Sequence, residues 1–160
     1  MRALVWITET SWPACIDRAR ELLPADAEIT ILHVAATDVE ALAEHPGLGL
    51  LGRRHPPPPG PTVRQISDEE ADSLLQEAAR RLGRPAGTVA RRGRIEREVL
   101  EAAAGADVLV LGRDGEPRRE PKSIGREARF VIDHAGCAVL LTWSEEPPPL
   151  DSIRWPPHLR

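Results

Sequence analysis

Apolar residues follow two alternating rhythms along this chain. Residues 3–7 form an unbroken apolar run, the pattern of a strand covered on both faces of a parallel sheet. Cys15, Ile16, Ala19, Leu22 and Leu23 then recur at helical spacing, which predicts a helix packed on that sheet. Pro13 fits its first turn, Ser11 is its candidate cap and Pro24 its stop. A second strand is expected over residues 28–34. Ser67 and Glu70 make a capping-box pattern opening a second helix. Its buried stripe is Ala71, Leu74, Leu75, Ala78 and Leu82, and Gly83 ends it. Residues 88–91 read as a weak third strand, and Ile95, Val99, Ala102 and Ala103 as the inner face of a third helix. Residues 107–111 are a clear fourth strand and residues 137–142 a fifth, with Ala128, Val131, Ile132 and Ala135 facing inward from a helix between them.

Strands alternating with helices imply right-handed crossovers, and so an α/β fold: a single open sheet of five parallel strands with helices on both faces. A length of 160 residues suits one domain. That domain is expected over residues 1–143, with a long loop at 35–66 and a proline-rich tail at 144–160 that trails over the surface. Gly47, Gly49, Gly52, the prolines at 56–59, Gly60 and Pro61 argue against regular structure in the loop. Leu48, Leu50 and Leu51 make it apolar enough to fold over something, as a lid would.

Charge and cysteine usage remove several functions. A formal net charge of −4 gives no overall attraction to nucleic acid or an anionic membrane surface. No apolar run approaches the roughly 20 residues needed to cross a bilayer, and no basic-then-apolar leader opens the chain. Cys15 and Cys137 form no metal-ligand spacing. The expectation is a cytoplasmic protein with reduced thiols, no bound metal of its own, and no nucleic-acid or membrane partner.

The chemistry concentrates after strand four, where Gly112, Gly115 and Gly125 lead into the last helix. Glycine lets the backbone approach a ligand closely, and a helix N-terminus offers unpaired amides and a dipole that favour a phosphate. The bland alternative is that the glycines only make a tight turn and let the helix approach the sheet.

The spacing of these three glycines, two and then nine residues apart, resembles the G-x2-G-x9-G-(S/T) signature of the universal stress proteins. Three other segments agree: residues 29–34, ending in Leu32, His33 and Val34, resemble the family's second strand. Residues 93–100 resemble its turn into the third helix, and residues 130–141 its closing helix and strand. The resemblance spans roughly residues 2–143. It implies the strand order 3-2-1-4-5 of a nucleotide-binding, adenine nucleotide alpha hydrolase-like fold, and ATP or a related adenine nucleotide as ligand, with Mg2+ only if ATP is bound. Adenine would lie near Thr8 and Val34; Leu111, Gly112, Arg113, Gly115, Gly125 and Arg126 would hold ribose and phosphates. The resemblance also implies a homodimer through strand five and a role in stress response. No general base or activated nucleophile is evident, so the chain reads as a binding module and not an enzyme, capable at most of slow ATP hydrolysis. The alternative within the family is a dimeric scaffold that binds no nucleotide and acts through protein partners, which the sequence does not name.

Three positions depart from the pattern. Thr8 stands where nucleotide-binding relatives carry an aspartate, and Trp6 where a smaller residue is usual, in the core or in the cleft. Arg126 replaces the small hydroxyl residue. It can pair with a phosphate in bidentate fashion, close the cradle by pairing with Asp114 or Glu116, or stand in solvent. Arg118, Arg119 and Lys122 surround the same loop. Asp133 and His134 resemble half a catalytic relay, but His134 is expected to interact with its helix end. His33 reads as a hydrogen-bonded core residue and Cys137 as a buried, inert thiol.

Overall fold

The computed structural model describes residues 1–36, 61–113, 123–147 and 149, with the side chains of 61–67 outside that description. The elements run β1 (Arg2–Ile7), α1 (Trp12–Leu22), β2 (Glu28–Ala36), α2 (Pro61–Leu82), β3 (Gly87–Gly93), α3 (Ile95–Ala103), β4 (Val108–Arg113), α4 (Arg126–His134) and β5 (Ala138–Trp143). All four strand pairings are parallel, and the sheet order is β3-β2-β1-β4-β5, as the family resemblance implies.

Alternating side chains of the strands divide between two cores. Val5, Ile7, Ile29, Ile31 and Val110 meet Cys15, Ile16 and Ala19 of α1 and Leu75, Ala78 and Leu82 of α2. On the other face Leu4, Trp6, Leu32, Val34, Leu109 and Leu111 meet Val99 and Ala103 of α3 and Ala128 and Val131 of α4. Each fully buried aliphatic side chain contributes about 1.5–3 kcal/mol. Trp6 is therefore a core residue, 4% exposed.

Several boundaries differ from the sequence expectation. Helix α2 begins at Pro61 and not at Ser67, because proline at a first helical turn lacks only an amide that would go unpaired anyway. The long loop is shortened at both ends, since Ala35 and Ala36 belong to β2. Strand β3 is longer than its weak sequence pattern, because pairing in register with β2 continues from Gly87 opposite Thr30 to Gly93 opposite Ala36. Leu22 is 55% exposed, so it does not share in the core as its spacing suggested. It stands about 100° round the helix from Leu23, and Leu23 takes the buried place. Gly83 does end α2, in the left-handed conformation at φ 70°.

Helices α1 and α2 are clamped by Arg81, whose Nε and Nη2 donate to the two carboxylate oxygens of Asp17 at 2.8 and 2.6 Å. That hydrogen bonding holds the Asp17 carboxyl below its ordinary range. Cys137 lies just before β5 and is half-buried, not buried as expected; its partial desolvation raises the thiol pKa.

Candidate nucleotide site at the carboxyl ends of β1 and β4

The strand order reverses between β1 and β4, which lie side by side. From β1 the chain turns to α1 on one face; from β4 it proceeds to α4 on the other. Their departure in opposite directions opens a crevice at the carboxyl edge, where open α/β sheets bind ligands.

Thr8 follows β1 directly and is tied into the turn before α1. Its hydroxyl lies 2.8 Å from the Ser11 hydroxyl and accepts the Ser11 N–H at 3.3 Å, while Ser11 Oγ accepts the Thr8 N–H at 3.3 Å. This is the reciprocity of a capping box. The expectation that Ser11 caps α1 is corrected accordingly: its side chain makes no cap bond to the helix and bonds back to Thr8, three residues earlier.

Ser11 is buried, and it explains Gly112. A Cβ at Gly112 would stand 2.4 Å from Ser11 Cβ and 3.2 Å from Ser144 Oγ. The absent side chain at Gly112 is thus required by the chain's own packing, whatever ligand approaches. Ser144 Oγ also donates to the Arg113 carbonyl at 2.6 Å, so the segment assigned to a trailing tail begins with an anchored residue. Arg113 donates from Nη1 to Ser123 Oγ at 2.8 Å, and its guanidinium lies 4.5 Å from the Trp143 ring centroid. The ends of β4 and β5 are thereby joined to the approach of α4. Ser123, Trp143 and Ser144 were not singled out in the sequence, and Ser11 only as a helix cap, because isolated hydroxyls and a lone Trp carry no periodic signal.

Gly125 is the N-cap residue of α4, with no side-chain cap bond, so the first-turn amides face a position without a protein acceptor of that kind. Arg126 follows; its Nε lies 3.3 Å from Glu127 Oε1, and its side chain is 72% exposed. Val34 and Leu111 lie near the carboxyl ends of their strands, paired with Arg91 and Leu141, and bury their side chains in the α3–α4 core. Gly115, Asp114, Glu116, Arg118, Arg119 and Lys122, like Leu48, Leu50 and Leu51, lie outside the described residues.

His33 is buried, as expected: Nδ1 is 3.3 Å from the Ile7 carbonyl, and Nε2 is 3.6 Å from Glu9 Oε1. His134 donates from Nδ1 to the Phe130 carbonyl at 2.8 Å near the end of α4, and its ring stacks on Phe130. Among the described residues no three His, Cys, Asp or Glu side chains come together as metal ligands, and no helix is long and apolar enough to cross a membrane.

No family model matches the chain, and no curated protein matches it in sequence. Solved structures do match in fold. A universal stress protein in complex with cAMP is 18% identical at a TM-score of 0.59, over 91% of this chain and 98% of that one. A universal stress protein from Archaeoglobus fulgidus in complex with dAMP is 15% identical at a TM-score of 0.52, over 88% of this chain and 96% of that one. A universal stress protein family protein from Arabidopsis thaliana with AMP bound is 14% identical at a TM-score of 0.53, over 95% and 94%. In strand order, layer arrangement and extent, this chain has the fold of the universal stress proteins.

Proposed function

We propose that the chain is a universal stress protein-like module that binds ATP or a related adenine nucleotide and acts in a stress response through its liganded or dimeric state. The observation that carries this reading is the N-terminus of α4 behind its N-cap glycine Gly125, set at the topological switch point of a fold whose solved neighbours hold cAMP, dAMP and AMP. Phosphates would take the α4 amides and Arg126, with Mg2+ entering only as part of a bound ATP. Thr8, Val34, Leu111, Gly112, Arg113 and Gly115 would complete the site. Mass spectrometry of protein released from native purification, followed by titration of AMP and ATP, tests the proposal. The expected result is a retained adenine nucleotide or saturable binding of one nucleotide per chain.

Absence of both would favour the second reading, a scaffold that binds no nucleotide. Two observations support that reading: the Thr8 hydroxyl is engaged by Ser11, and Ser11 fills the space above Gly112. Neither reading assigns a catalytic residue, and both fit a cytoplasmic protein.

Both readings also include a homodimer through β5. Among the described residues this strand forms one edge of the sheet and pairs only with β4, and an edge strand invites pairing with a second copy. Light scattering is expected to give twice the chain mass. Leu140→Pro removes a ladder donor and is expected to give monomer or insoluble protein. A soluble, unchanged dimer would rule out this interface.

A further inference from the structure

A second groove lies on the sheet face covered by α3, toward the amino edge and away from Thr8, Gly112 and Arg126. It has a volume of about 180 Å³, a floor that includes Leu4, Leu32 and Val89, and a wall that includes Ala102, Ala104 and Gly105. The wall is low because these residues carry a methyl group or less, and Gly105, at φ 83°, turns the chain out of α3.

Two arginines, Arg2 and Arg91, line this groove. Arg91 stands opposite Val34 in the β2–β3 register, and Arg2 opposite Glu28 in the β1–β2 register, so they mark its two ends. Arg91 uses Nη1 for Glu98, at 3.3 Å to the carbonyl and 3.4 Å to the carboxylate. Its Nε and Nη2 make no hydrogen bond to a described residue. The Glu98 contacts hold the planar fork in place, which lowers the entropy lost when its remaining donors take a ligand. The Arg2 guanidinium makes no hydrogen bond or ion pair with a described residue and lies over Gly105. The Thr30 hydroxyl adds a polar atom between the ends, and Glu28 adds a carboxylate beside Arg2.

We propose that this groove binds a small monocarboxylate with an aromatic or branched aliphatic body. The carboxylate accepts charge-assisted hydrogen bonds from Nε and Nη2 of Arg91. The apolar body lies on Val89 and the methyl groups of Ala102 and Ala104, above the buried Leu4 and Leu32, with a few placed polar groups around it, as small-molecule sites are built. The stem of Arg2 covers the body at the far end. Glu28, together with Glu98 behind Arg91, opposes a second negative charge on the ligand, so the site selects monoanions.

Benzoate is the probe, with benzamide as its neutral isostere and phthalate as the dianion, each titrated into the full chain and followed by amide chemical shifts. Benzoate is expected to move the signals of Leu32, Val89 and Ala102. Benzamide and phthalate are expected to bind at least about tenfold more weakly, as is benzoate to Arg91→Gln, since a charged hydrogen bond is lost in each case. Ala102→Leu, which keeps Arg91 and fills the groove from the helix side, is expected to abolish the shifts while the thermal transition stays cooperative. This second variant guards against a fold defect in Arg91→Gln. ATP should not displace benzoate, so the outcome is independent of nucleotide binding. Equal binding of benzamide and benzoate, unaltered benzoate binding by Ala102→Leu, displacement by ATP, or no shift at about 20 mM benzoate would each overturn the proposal.

Discussion

Gly112→Ala is expected to destabilise the fold by about 1–3 kcal/mol, the usual cost of forcing an extra methyl group into a packed site. The added Cβ would meet Ser11 Cβ at 2.4 Å, a separation no real pair of carbons tolerates, so the turn between β1 and α1 must move. It cannot move freely: Ser11 is 1% exposed, its hydroxyl and amide are both bonded to Thr8, and its carbonyl accepts the Cys15 N–H of α1. A double-mutant cycle by urea denaturation isolates the contact. Ser11→Gly removes the opposing Cβ, so the double variant Ser11→Gly with Gly112→Ala should be markedly more stable than the sum of the single losses predicts. Strictly additive losses would show that Ser11 is not the reason Gly112 is glycine, leaving the Ser144 contact or close approach of a ligand. The same variants titrated with nucleotide report whether the crevice depends on this packing.

The parts of the fold that were legible in the sequence are those written in periodicity. The apolar run at 3–7, the stripe of Ala71, Leu75, Ala78 and Leu82, and the helix between β4 and β5 each carry a repeat that burial enforces, and each is where it was expected. Features resting on single long-range pairings were not legible. The length of β3 is set by its register against β2, not by the polar Arg91 and Arg92 within it. Proline and glycine density around residue 60 concealed the start of α2, since Pro61 both breaks a preceding helix and suits a first turn. At the site, the glycine spacing drew attention to Gly112, yet the cause visible in the structure is Ser11, 101 positions earlier in the chain, whose role no spacing rule announces. The Arg113–Trp143 stack and the Ser144 bond to the Arg113 carbonyl likewise join residues 30 and 31 positions apart, and nothing local marks them.

Arg126 is expected to raise the affinity of the carboxyl-edge site for an adenine nucleotide. It is the first residue of α4, immediately after an N-cap glycine that provides no side-chain acceptor, so an anion seated on the helix amides would lie within reach of its guanidinium. A hydrogen bond to a charged group contributes about 1.5–3 kcal/mol, roughly ten- to a hundredfold in affinity. The side chain is 72% exposed and already near Glu127, and solvent screening of that kind places the expected effect at the lower end, near tenfold. Calorimetric titration of ATP and AMP into wild type, Arg126→Ala and Arg126→Ser separates the alternatives. If Arg126 holds phosphate, both variants bind more weakly, ATP loses more than AMP, and the loss shrinks as salt is raised. If Arg126 instead covers the cradle, Arg126→Ser restores the small hydroxyl of the family pattern and binds more tightly than wild type. Equal affinity in all three proteins would leave Arg126 a solvated surface residue and pass the phosphate to the α4 amides alone. The exposure of Arg126 and its position one residue past the cap favour the first outcome, because a side chain closing the cradle would be expected to bury itself there.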